Sequence, residues 1–204
     1  MTNYKSIKNK TVAAEIVISK SRFLAVACGV SNTQQAMELV EEISKKHYSA
    51  THSCYAYRLT DAQKFSDDGE PQGTAGIPIL ECIKSKGLTN VIVVVTRYYG
   101  GIKLGAGGLV RAYTEAAAAV LDLAEKIDFK LCVQAKFTVS YQQMSSLNSL
   151  LHKYAKKTTT EYNGQVKCAV LVEKENFSQF AAAFAEFTQG QVELVRAGEV
   201  FEEF

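Results

Sequence analysis

Residues Asn90–Gly108, "NVIVVVTRYYGGIKLGAGG", decide how the chain is built. Asn90 to Val95 is a continuous apolar, β-branched run with polar borders, which predicts a strand covered on both faces and central to its sheet. A glycine-rich segment follows. Leu109–Lys126, "LVRAYTEAAAAVLDLAEK", then has the alanine content and periodicity of a long helix.

Upstream of this core, Lys10–Ser19 and Arg22–Val30 are rich in β-branched and small apolar residues around "SKSR", the pattern of a hairpin. Ala36, Leu39, Val40 and Ile43 fall at i, i+3, i+4 and i+7 behind Ser31 and Gln34, which have capping-box spacing. An amphipathic helix is expected from Asn32 to about His47. A strand at Thr51–Leu59 and a short helix ending near Gly87 complete this half. Downstream, Leu131, Val133, Ala135, Phe137, Val139 and Tyr141 alternate with polar or smaller residues, as in a strand with one wet face. Met144, Leu147, Leu151 and Tyr154 line a helix, and Asn163-Gly164 marks a hairpin. Phe177, Phe180, Phe184 and Phe187 stripe a second helix as core packing, and "VELVRAGEVF" supplies a last strand. The order βαββαβ is that of a ferredoxin-like sandwich. The fold class is therefore α+β in two domains, residues 1–130 and 131–204.

Composition narrows the function classes. The chain has 204 residues, 47% of them apolar and 22% charged, with a formal net charge of +2. No apolar run is long enough to span a bilayer, and no apolar segment follows the basic residues of the N-terminus, so neither a membrane partner nor export is expected. Five scattered cysteines without a C-x-x-C pair suit reduced thiols in a cytoplasm better than disulfides or zinc. A charge of +2 gives no preference for DNA, and RNA binding has to rest on a local patch.

Two loops concentrate the unusual residues. Ser66–Pro78, "SDDGEPQGTAGIP", holds three acids, three glycines and both prolines of the chain. Ser66, Asp67, Asp68, Gly69, Glu70, Pro71, Gly73 and Thr74 form an acidic loop that lacks calcium-loop spacing, so no metal is expected. Thr74, or a residue nearer Pro78 with proline in the first helical position, would start the helix that follows. The second loop, Gly100–Gly108, joins a strand to a helix, where free backbone N–H groups favour an anion. Its candidate contacts for RNA or another anion are Arg97, Tyr98, Tyr99, Gly100, Gly101, Lys103, Gly105, Gly107, Gly108 and Arg111. It matches neither a dinucleotide fingerprint nor a Walker loop, and no cofactor is expected. The bland alternative is that the glycines only let a helix and a sheet approach closely. If the loops share one end of a sheet, Asp67 or Asp68 is expected to pair with Arg97 or Arg111. His52 and Cys54 point to one face of a strand, where a structural role outweighs a nucleophilic one. Lys153, Lys156 and Lys157 are expected to close a helix, with an RNA grip as a secondary possibility.

"KSRFLA", "HSCYAY", "FSDDGEPQGTAGIPIL" and "NVIVVVTRYYGGIKLGAGGLVRAY" closely resemble the signature of the IMPACT family, and the whole chain is similar to its bacterial YigZ group. The resemblance implies an N-terminal βα fold like the second domain of ribosomal protein S-five. It also implies a C-terminal domain like the ferredoxin-like domain V of elongation factor G. Eukaryotic members resemble translational regulators that bind the co-activator of the amino-acid-starvation kinase, with an extra N-terminal domain. The family assigns no catalytic residue.

The expected function is a non-enzymatic binding or regulatory protein of translation. It would meet structured RNA, the ribosome or a translation factor through the two loops. The alternative is an enzyme acting on a phosphorylated small molecule at the glycine loop. That loop loosely resembles the one in small-molecule kinases of this fold, although Leu109 stands where those kinases place serines.

Overall fold

The computed structural model describes residues 3–204. The chain divides into two compact units, Tyr4–Asp128 and Phe129–Phe204, the latter joined by Asn3. The first unit contains strands β1 (Tyr4–Ile7), β2 (Val12–Ile18), β3 (Ser21–Gly29), β4 (His52–Arg58), β5 (Gln63–Ser66) and β6 (Val91–Tyr98). Its helices are α1 (Thr33–Lys46), α2 (Gly76–Ser85) and α3 (Gly105–Leu123).

One antiparallel sheet of order β2-β3-β6-β4-β5 organises this unit, with β6 at its centre. The unbroken apolar run of β6 exists because both of its faces are covered. Val91, Val93 and Val95 pack with Ala25, Ala27, Cys54 and Ala56 under α2 and α3. Ile92 and Val94 pack with Val26, Cys28, Tyr55 and Tyr57 under α1. A sheet between two helical layers is the outcome.

The β2–β3 hairpin turns through Ser19 and Lys20, both at positive φ. Helix α1 starts where expected, but its cap is Asn32, whose side chain accepts from the Gln35 N–H, while Gln35 reaches back to the Ser31 N–H. The Ser31 and Gln34 pair was one residue out of register.

Strand β7 (Lys126–Val139) begins in the last residues of the first unit and continues in the second, which then runs α4 (Tyr141–Tyr154), β8 (Ala155–Asn163), β9 (Gln165–Glu173), α5 (Phe177–Thr188) and β10 (Val195–Glu203). Its strands pair antiparallel in the order β10-β7-β9-β8. This is the expected ferredoxin-like sandwich, and the β8–β9 hairpin turns at Gly164, at positive φ. Strand β7 begins before Leu131. Lys156 and Lys157 belong to β8, because α4 ends at Tyr154, so only Lys153 lies at a helix end. Phe180 and Phe184 fill the core beside Phe137, Leu147 and Val170, whereas Phe187 at the end of the stripe is exposed. Phe180→Ala removes a fully buried ring and is expected to lower stability by about 3–5 kcal/mol, measured by chemical denaturation.

Candidate functional site

The acidic loop is built inward. Asp68 and Gly69 adopt positive φ and reverse the chain after β5, so that Glu70 turns beneath the sheet end. Its side chain is only 3% exposed. Glu70 Oε1 accepts from Arg97 Nη1 at 2.7 Å and from the Tyr113 hydroxyl at 2.8 Å. The Arg97 guanidinium lies between the rings of Phe23 and Tyr99, 5.5 and 5.4 Å from their centroids. Its Nε is buried and has no hydrogen-bond partner among the described residues. Opposite Arg97 in the β4–β6 register stands His52, whose Nε2 is 4.0 Å from Glu70 Oε2.

The remaining acids hold the loop to its surroundings. Asp67 accepts from the N–H groups of Gly73, Ala75 and Gly76 at 2.8, 3.0 and 2.8 Å, which caps α2 from nine residues upstream. Burial alone would raise the Asp67 carboxyl, but these three donors outweigh it and hold the group below its ordinary value. Helix α2 itself starts at Gly76, with Ala75 at its cap and Pro78 third in the helix, so the expected Thr74 cap and first-position proline do not occur. Thr74 is buried, its hydroxyl donating to the Pro71 carbonyl. Asp68 accepts from the Ser53 N–H at 2.6 Å, and its own N–H donates to Ser66 Oγ. The Asp68 carbonyl lies 2.7 Å from His52 Nδ1. A carbonyl can only accept, so Nδ1 carries a proton. The charge pairing between the loops is therefore real, but Glu70 makes it, in place of Asp67 or Asp68, because the reversal at Asp68–Gly69 aims Glu70 and no other acid at Arg97.

Cys54 is no nucleophile of a His52 pair. Its sulfur faces the Asp67 carbonyl at 2.9 Å and the Tyr113 hydroxyl at 3.4 Å, and burial pushes the thiol up to about 12. Burial, with Cys54 and Glu70 alongside, likewise raises the Tyr113 phenol and keeps it a donor. All five cysteines are free and buried.

The glycine loop divides between close packing and exposure. A Cβ on Gly100 would come within 2.0 Å of the Lys20 backbone, and the Gly100 N–H donates to Ser21 Oγ. This residue pins the loop to the β2–β3 turn. Gly108 sits close to Leu104, whereas a Cβ on Gly101 or Gly105 would meet nothing within 4 Å. Helix α3 starts at Gly105, four residues before the expected Leu109, with Leu104 at its cap position and no side chain bonded there. Gly101, Lys103, Gly105, Gly107 and Arg111 are exposed around this start, as is Tyr99 at 47%. Tyr98 is occupied, its hydroxyl 2.8 Å from His47 Nδ1 and its ring under Arg22.

Of the candidate contacts, Arg97 is thus turned inward as part of the scaffold, with Tyr98 tied to α1. Lys103 and Arg111 remain outward. Ser21 and Tyr113 were not singled out from the sequence. A tyrosine on the buried face of an alanine-rich helix was a usable signal, because its hydroxyl needs a partner.

Comparison with known proteins fits this architecture. The description "Impact N-terminal domain" matches residues 19–121, and a domain of unknown function, DUF1949, matches residues 137–191. The chain belongs to the IMPACT family. The IMPACT family member YvyE of Bacillus subtilis is 38% identical over 184 residues, covering 88% of this chain and 85% of YvyE. The IMPACT family member YigZ of Escherichia coli is 33% identical over 191 residues, covering 91% of this chain and 93% of YigZ. A crystal structure of a hypothetical protein superposes with a TM-score of 0.67 at 29% identity, covering 97% of this chain and 98% of that one. The residues matched to the Impact N-terminal domain contain both the Glu70 hub and the exposed start of α3.

Two outcomes follow from this geometry. Arg97→Ala leaves Glu70 buried with one donor and is expected to cost about 3–5 kcal/mol in denaturation, with Arg97→Ala, Glu70→Ala costing less than the sum of the single changes. Asp67→Asn is expected to cost about 1.5–3 kcal/mol near neutral pH. Because the folded value lies below the ordinary 3.8, the Asp67 contribution is complete above that pH and disappears as pH falls through the folded value. The stability gap between wild type and Asp67→Asn should therefore narrow on acidification below 3.8, read from melting curves across pH.

Proposed function

We infer that this IMPACT family protein is a non-enzymatic binding protein of the translation apparatus that grips RNA phosphates at the start of α3. The observation that carries this reading is a helix start without a side-chain cap, opened by exposed glycines and flanked by exposed Lys103 and Arg111. Free N–H groups at a helix N-terminus and nearby fixed cations suit a phosphate oxygen. Tyr99 offers a ring face beside them for an unstacked base.

Family membership supports the link to translation, since eukaryotic members resemble translational regulators. The ferredoxin-like second unit, which resembles a domain of elongation factor G, adds support by analogy of fold. In this reading Arg97 makes no phosphate contact. It holds Glu70 and supports the ring of Tyr99. No helix among the described residues is long and apolar enough to cross a membrane, and no membrane partner is invoked.

Co-sedimentation with ribosomes and separated subunits at several salt concentrations tests the proposal. Wild type is expected to bind with an affinity that falls as salt rises. Lys103→Ala and Arg111→Ala are each expected to weaken binding and reduce the salt slope by about one unit. No binding, or binding with an unchanged slope in both variants, overturns it. Stabilisation by a phosphorylated metabolite without ribosome binding would favour the enzyme reading at the same loop.

A further inference from the structure

Strand β8 ends the second sheet, and its only strand neighbour among the described residues is β9. Its burial pattern is exposed at all positions except Ala155 and Thr160. A nine-residue edge without proline presents a row of unpaired N–H and C=O groups, which is a template for another strand.

The sequence of β8, "AKKTTTEYN", is complementary to itself when reversed. Backbone groups that face the free edge alternate along a strand, so only registers that oppose residues of equal parity form a ladder. Pairing with β9 is regular from Lys157 to Asn163, which fixes that parity, and the irregularity lies at Ala155–Lys157. Among the permitted antiparallel registers, the one centred on Thr159 sets Lys157 against Glu161 and Thr158 against Thr160. A two-fold axis repeats each pair. Opposite charges and threonine pairs directly across a ladder are both favourable. Shifting the centre by one residue in either direction loses the Lys157–Glu161 pairs.

We propose that β8 is the seam of a two-fold homodimer in which two copies of the second unit's sheet join edge to edge. This symmetry puts α4 of both copies on the same face, running antiparallel. A groove of about 380 Å³ lies between α4 and β8, lined by Met144, Asn148, Leu151, His152, Thr160 and Tyr162. It borders the seam along its length. The rings of Tyr141 and Tyr162 stack at one end of the strand, 5.9 Å apart, and are 54% and 62% exposed. The two-fold brings this pair toward the end of the partner's α4 that carries a lysine, a cation for an aromatic face. Glu161 also stands beside Lys167 of β9 in the existing ladder. The joined sheet therefore alternates lysine and glutamate across the seam.

Sedimentation equilibrium of the full chain from low to high micromolar concentration tests the seam. Wild type is expected to associate to a dimer. Lys157→Glu sets two carboxylates together at each symmetry-related pair, and Glu161→Lys sets two ammonium groups together. Each change is expected to weaken the dimer at least about tenfold. The combined Lys157→Glu, Glu161→Lys chain restores opposite charges and is expected to recover the dimer, which also shows that the substituted strand folds. A wild type that stays monomeric throughout the range overturns the proposal, including the case where the edge takes a foreign peptide strand instead. So does a dimer that the single changes leave intact, or that the combined change fails to rescue.

Discussion

The buried Glu70 carboxylate is the constraint around which the signature region is organised. A carboxylate at 3% exposure is costly unless it is paired and hydrogen-bonded, and here one oxygen receives both a guanidinium and a phenol. Those partners come from β6 and α3, while Glu70 belongs to the loop after β5. Three segments distant in sequence are fixed by one acceptor. The phenylalanine and tyrosine rings on either side of Arg97 complete its enclosure, so the cation contributes to packing as much as to charge.

With the hub satisfied, the neighbouring glycine loop has little freedom where it is pinned and much where it is open. Gly100 admits no side chain, because the Lys20 backbone occupies the space, and this contact sets the path by which the chain leaves β6. Beyond it, Gly101 and Gly105 hold left-handed conformations facing open space. The start of α3 consequently has Leu104 at its cap, with no side-chain cap hydrogen bond among the described residues. Rigid support on one side and an open helix start on the other therefore meet within a few residues of Gly100.

Much of this was legible in the chain, for identifiable reasons. The apolar run of β6 and the alternation in β7 report burial at the spacing of the local backbone, and the βαββαβ order followed from them. The cap of α2 was not legible, since its acceptor, Asp67, is separated from Gly76 by a loop whose course depends on positive φ at Asp68, Gly69 and Gly73. The same turns decide which acid meets Arg97. From sequence Asp67, Asp68 and Glu70 are equivalent candidates, and only the reversal between them assigns the roles. The cap of α1 shifted by one residue because Ser31 and Asn32 have equal capping chemistry, and the start of α3 by four because glycines fill its first turn.

The signature thus mixes residues of opposite task within a short span. Arg97 and Lys103 are six positions apart, yet one is a buried member of an ion pair and the other an exposed cation. A loss of binding after removing Arg97 would be ambiguous, because freeing Glu70 disturbs the loop, β6 and α3 together. Loss after removing Lys103 or Arg111 has no such path through the core, as neither side chain is enclosed. Charge alone does not distinguish an exposed cation from a buried support in this chain. Burial does, since Arg97 is enclosed with Glu70 whereas Lys103 and Arg111 are open to solvent.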